Sequence, residues 1–126
     1  MKYEKTFFKC EHCGNIVGMV DDAGVSIHCC GEPMVKLTAN TTDAAQEKHV
    51  PACTRDGNSL TVTVGSVPHP MTAEHHISWI CVAQANTTMR TTLDPTGEPT
   101  ASFVIDDGDA TVYEYCNLHG LWAVDI

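Results

Sequence analysis

Leu60-Thr61-Val62-Thr63-Val64 alternates apolar and polar side chains without interruption. Successive side chains of an extended chain leave opposite faces, so this run shows leucine and valines to one side and threonines to the other, as a half-buried β-strand requires. The same period returns in Ile77-Ser78-Trp79-Ile80-Cys81-Val82, in Ser102-Phe103-Val104-Ile105 and in Thr111-Val112-Tyr113-Glu114-Tyr115. Arg55-Asp56-Gly57-Asn58, Asp94-Pro95-Thr96-Gly97 and Asp106-Asp107-Gly108-Asp109 separate such runs with residues that tolerate turn geometry. Residues 37–126 therefore read as an antiparallel β-sandwich, and the chain as all-β. Strict alternation puts Cys81 on one strand face with Ile77 and Trp79, as a buried, inert thiol.

Upstream the character changes. Residues 1–36 hold Cys10-Glu11-His12-Cys13 and the adjacent pair Cys29-Cys30, with Gly14, Gly18, Gly24 and Gly31 nearby. A Cys-x-x-Cys turn brings two sulfurs to one ion. The adjacent pair is unusual, because neighbouring side chains of an extended chain diverge; the backbone there must kink, and Gly31 permits it. So short a segment cannot build a self-sufficient core, and an ion held by four thiolates would supply its folding energy. Thiolate chemistry leaves zinc and iron both open, structural zinc being the plainer choice and the strain of adjacent ligands favouring a redox iron. Leu37–Gln46, polar and small, suits a linker followed by at most one helical turn capped by Asp43.

Charge divides the chain at the same place. Residues 1–36 carry four Lys and five acids, net -1, and residues 37–126 carry three basic residues and eleven acids, net -8. The total of -9 argues against a nucleic-acid or anionic-membrane surface. Met1–Phe8 lacks the apolar core of a secretory signal, and no stretch is apolar enough for a membrane span. Seven Cys, an odd number, clustered at ligand spacing suit a reducing, cytoplasmic setting and metal ligation rather than disulfides.

Five of the seven His lie in the second segment. They fall in Glu47-Lys48-His49-Val50-Pro51, Val67-Pro68-His69-Pro70-Met71, Glu74-His75-His76 and Cys116-Asn117-Leu118-His119, each at a strand end or loop. Loops gathered at one end of a sandwich converge on a single ion, and imidazoles with one thiolate suit iron or copper better than magnesium or calcium. Cys116-x-x-His119 is the tightest element. Spacing alone does not choose between His75 and His76.

At these motifs the sequence resembles the superoxide reductases, and in its two-part layout the desulfoferrodoxins. The resemblance runs through the Cys-x-x-Cys and Cys-Cys pairs and then EKHVP, VGSVPHPM, EHHISW and CNLHGLW in order, over essentially the whole chain. It implies a small desulforedoxin-like metal knuckle, residues 1–36, followed by an immunoglobulin-like sandwich, residues 37–126. It implies two iron ions per chain, one held by the four thiolates of Cys10, Cys13, Cys29 and Cys30. The other is a ferrous centre of four histidines and one cysteine, with His49, His69, His75 and His119 equatorial and Cys116 axial, opposite an open position. Glu47 and Lys48 fall beside that face, the glutamate as a ligand of the oxidised iron and the lysine as the attractor of superoxide and an aid to its protonation. The implied reaction is one-electron reduction of superoxide to hydrogen peroxide, fed by an external donor such as rubredoxin, in a homodimer.

Two other functions compete: a zinc-dependent interaction module with both sites structural, and a rubredoxin-like electron carrier whose His-rich part stores metal. Cys53 has no ligand-spaced partner and reads as structural. His12 and His28 read as solvent-facing, His76 as exposed or behind the ligands, and Trp79 and Trp122 as core anchors, with Trp122 shielding the His119 loop. Asp106–Asp109 lacks the remaining ligands of a calcium loop and reads as a solvated turn.

Overall fold

A computed structural model describes residues 1–126 and resolves them into two compact units, Lys5–Thr38 and Met1–Glu4 together with Ala39–Ile126. No helix is long and apolar enough to cross a membrane.

The smaller unit is built from minimal strands. β1 (Phe7–Lys9) pairs antiparallel with β2 (Ile16–Gly18) and β5 (Val35–Lys36), while β3 (His28–Cys29) and β4 (Glu32–Pro33) form a separate hairpin. The two residues joining that hairpin, Cys30 and Gly31, have φ of 54° and 77°. Positive φ at both central positions is the signature of a type I′ turn. The kink needed by the adjacent cysteines thus starts at Cys30 itself, and Gly31 completes it.

The larger unit is the sandwich. One sheet has the order β10 (Thr100–Val104), β7 (Ser59–Val64), β6 (Pro51–Asp56); the other has β12 (Gly120–Asp125), β11 (Thr111–Cys116), β8 (Ile77–Ala83), β9 (Thr88–Thr92). Leu60, Val62 and Val64 from β7 meet Ile80 and Val82 from β8, Phe103 from β10 and Val112 from β11 in one core. Each such side chain adds about 1.5–3 kcal/mol on burial. The runs expected as strands become β7, β8, β10 and β11; β6, β9 and β12 had no clear alternating signal.

Two local expectations are corrected. Asp43 caps nothing: the single turn α1 (Gln46–His49) has Ala45 at its N-cap, with no side-chain cap bond. Ile77 does not share a face with Trp79 and Cys81. A β-bulge falls at Ser78, where Tyr115 pairs with Trp79 but Cys116 pairs with Ile77. An extra residue reverses the alternation, so Ile77 joins Ile80 and Val82 in the core while Trp79 stacks on Tyr115, ring centroids 5.7 Å apart. Cys81 is buried all the same, and Cys53 packs against the core, where burial pushes its thiol up to about 11.

Candidate metal centres

In the smaller unit the sulfurs of Cys10, Cys13, Cys29 and Cys30 lie within 4.8 Å of one another, with Cys13 Sγ and Cys29 Sγ 3.6 Å apart. A tetrahedron of sulfurs about 2.3 Å from one ion has edges of about 3.8 Å. The turn is held by Gly14 N–H on Cys10 O at 2.9 Å and Cys10 N–H on Asn15 O at 2.8 Å. The Cys13 backbone N–H holds the Cys10 thiol down at about 6, whereas the Cys13 and Cys10 sulfurs raise Cys29, and those of Cys10, Cys13 and Cys29 push Cys30 up to about 12. Four thiols this close do not all ionise at neutral pH by themselves; a bound cation lets them do so. His12 and His28 are exposed, with His12 Nε2 3.1 Å from a Glu32 carboxylate oxygen.

In the larger unit the donor atoms of His49, His69, His75, Cys116 and His119 also lie within 4.8 Å of one another. The four imidazoles close a ring. Successive centroids, His49 to His69 to His75 to His119 and back, are 4.7, 4.5, 5.0 and 4.8 Å apart, with interplanar angles of 76°, 85°, 75° and 87°. Cys116 Sγ is 3.5 Å from His69 Nε2 and 3.8 Å from His119 Nδ1, which stand at opposite corners. A sulfur within reach of two opposite corners sits over the middle of the ring.

Backbone carbonyls choose the tautomers. His49 Nδ1–H donates to Ala45 O and His69 Nδ1–H to Pro70 O, both at 2.7 Å, and since a carbonyl only accepts, each Nε2 is left with a bare lone pair. These two Nε2 atoms are 3.2 Å apart, and His49 Nε2 is 3.1 Å from His119 Nδ1. His75 Nε2 is buried with no hydrogen-bond partner. Converging lone pairs and an orphaned buried nitrogen fit a metal ion that accepts all of them, and imidazole with thiolate is a donor set for iron, copper or zinc. Burial holds His49 and His75 below the usual imidazole range and His69 at about 4, so the rings are neutral at pH 7 and ready to ligate.

Each donor is locked by its own loop. Gly65 packs so closely on α1 that an added Cβ would lie 2.7 Å from Glu47 O and 2.9 Å from Val50 O. Val67 N–H and the Ser66 hydroxyl both donate to Glu47 O, at 2.9 and 3.2 Å. His75 N–H donates to Thr72 Oγ1, while the neighbouring ring of His76 turns away to donate from Nδ1 to Thr72 O. His75 is therefore in the ring and His76 outside it. Asn117 ties two loops together: its Nδ2 donates to Glu74 O, and its Oδ1 accepts His76 N–H, both at 2.9 Å. Trp122 stacks on His49 at 4.9 Å and donates from Nε1 to His119 O at 3.1 Å. Glu47 and Lys48 are exposed on α1, and the Lys48 charge is felt by both His49 and His75.

Glu114 escaped the sequence reading. Its strand position puts it between Val112 and Cys116 and opposite Ile80 and Trp122, fully buried, with neither carboxyl oxygen hydrogen-bonded. Burial pushes its pKa far above the ordinary carboxyl range. The signal was present: an acid in an alternating run, two residues before the thiolate.

A knuckle of four cysteines and a ring of four histidines over a fifth sulfur, on an all-β frame, define a metalloprotein with two mononuclear, non-haem centres. Residues 41–125 match the family model described as Desulfoferrodoxin, and residues 3–37 match Desulfoferrodoxin, N-terminal domain. The chain belongs to the desulfoferrodoxin family. It is 44% identical over 126 residues, all of both chains, to a desulfoferrodoxin of Clostridium acetobutylicum. It is 34% identical to a superoxide reductase of Pyrococcus horikoshii over 74% of this chain and 97% of that one. The crystal structure of the superoxide reductase from Treponema pallidum superposes with a TM-score of 0.79 at 37% identity, covering 96% of this chain and 98% of that one.

Proposed function

We propose that this chain is a superoxide reductase, converting superoxide, one electron and two protons to hydrogen peroxide. The observation that carries the reading is the ring of four imidazoles with the Cys116 sulfur over its middle, which leaves the opposite face for a small ligand. Residues His49, His69, His75, His119 and Cys116 would hold a ferrous ion, and Cys10, Cys13, Cys29 and Cys30 a second iron. Bound there, an iron would supply the electron, and donation from the Cys116 thiolate would favour its release. The chain's own groups handle the anion. On a segment of net -8, the one lysine after Lys36 stands next to a ligand, so Lys48 Nζ offsets the surrounding field for an incoming anion and carries a proton for it. Glu47, its neighbour on the same turn, is assigned to the same face, where its carboxylate would serve as a further ligand to an oxidised iron. Trp122, stacked on His49, keeps water from one flank.

Residues 1–36 act as the accessory electron domain and 37–126 as the catalytic one. A small redox protein such as rubredoxin is the proposed donor and the cytoplasm the proposed compartment. A homodimer through the knuckle would cover Val20 and Val25, which are 94% and 77% exposed on a unit too small for a full core.

Metal analysis of the purified protein together with a superoxide assay tests the reading. Two irons per chain, with peroxide formed and no dioxygen released, are expected. Zinc at both sites in a colourless, inactive protein would make it a structural module. Superoxide consumption that vanishes when Cys10, Cys13, Cys29 and Cys30 are replaced would favour the electron carrier.

A further inference from the structure

We infer that Asn15 sets the reduction potential of the four-cysteine centre, and so decides which donors can fill it. The inference rests on reading the knuckle as an iron site. Asn15 reaches three of the four ligand residues. Its carbonyl accepts the Cys10 N–H at 2.8 Å, its own N–H donates to Cys13 Sγ at 3.5 Å, and its side-chain Nδ2 donates to Cys29 Sγ at 3.7 Å. The two backbone bonds anchor Asn15 on either side of its Cα, which aims the amide before any metal arrives. A thiolate is an acceptor, so the NH2 end of the amide faces it.

The consequence follows from charge. When the centre takes one electron from a donor, the sulfurs become more negative, and a fixed N–H on sulfur stabilises that form over the oxidised one. Hydrogen bonds to sulfur therefore raise the potential, making the knuckle easier to fill and a milder reductant once filled. Two of them come from one residue, one through the backbone, which any side chain preserves, and one through the amide, which only a suitable side chain supplies. An amide does not titrate, so its effect holds across the working pH range. His12, also in the turn, is instead engaged by Glu32 at 3.1 Å.

The test uses the full chain and follows the visible absorption of the four-thiolate iron in a redox titration. Asn15→Leu, close in size but without a donor, is expected to lower the potential by about tenfold in the reduction equilibrium, 59 mV for one electron. Asn15→Gln, which keeps the amide on a longer arm, recovers part of the loss. The potential of the histidine-ligated centre, read in the same samples, stays where it was. An unchanged potential in Asn15→Leu at full iron occupancy overturns the inference. Should the leucine variant not hold iron, Asn15→Asp keeps the shape and replaces the donor with an acceptor; its potential must then fall further, and an equal potential again overturns the assignment. A parent protein lacking the absorption of a four-thiolate ferric centre refutes the iron reading of the knuckle instead, which is a different result from an intact centre that ignores Asn15.

Discussion

Lys48 owes its role to isolation. On a segment of net -8 its ammonium is the lysine charge placed next to a ligand, and that charge bears on two ring histidines. Lys48→Ala is expected to slow the bimolecular reaction with superoxide by about tenfold and to flatten its dependence on ionic strength, as loss of a steering charge does. Pulse radiolysis at several salt concentrations measures both, and an unchanged salt slope would take Lys48 out of the encounter. Most of the donors were legible at this scale because thiol and imidazole at short spacing have few other uses. His75 and His76 were not separable by spacing; the difference lies in a Thr72 hydroxyl and carbonyl that take one residue's N–H and the other's ring. Glu114 was hidden in the opposite way, since alternation gave its position but not the absence of any partner.

At the scale of elements, packing decides where the turn that carries Glu47, Lys48 and His49 sits. Gly65 meets backbone atoms of that turn, and backbone cannot swing aside as a side chain does. Gly65→Ala is expected to cost about 1–3 kcal/mol as overpacking. It should also displace His49, lowering the melting temperature and changing the thiolate absorption of the loaded centre together; a normal spectrum with a normal melt would refute the cradle. Strand content was readable for β7, β8, β10 and β11, whose inner residues are apolar. The missing strands β6, β9 and β12 are three of the four edge strands of the sandwich, and in β6 and β9 polar residues intrude, as in Thr88-Met89-Arg90-Thr91-Thr92. The bulge at Ser78 was invisible for a different reason. It is a property of the pairing between two strands, and a single run of sequence does not contain its partner.

Protons connect the whole molecule to its stability. Burial holds His69 at about 4 in the fold, well below the ordinary imidazole value of about 6.5, and lowers His49 and His75 in the same direction. Below about pH 6.5 the unfolded chain takes up protons that the folded rings refuse, so stability falls as the pH drops from 6.5 towards 4. Metal adds to this slope, since ligation needs the neutral rings. Glu114 acts with the opposite sign: its raised folded pKa means that stability falls as pH rises above the ordinary carboxyl range. Denaturant midpoints of metal-free protein between pH 4 and 8 should therefore show the acid-side loss, and Glu114→Gln should gain most at the alkaline end. A midpoint independent of pH below 6.5 would contradict the buried neutral rings.

The four ring imidazoles and the sulfur over them are supplied by α1, by the β7–β8 loop, by the last residue of β11 and by the β11–β12 turn. No pair of neighbouring elements holds more than a fraction of them. A growing polypeptide on the ribosome thus offers at most three of the five donors, His49, His69 and His75, until positions 116–119 have emerged. The complete set exists only once the second sheet has formed, so loading of this centre is expected to follow folding of the sandwich.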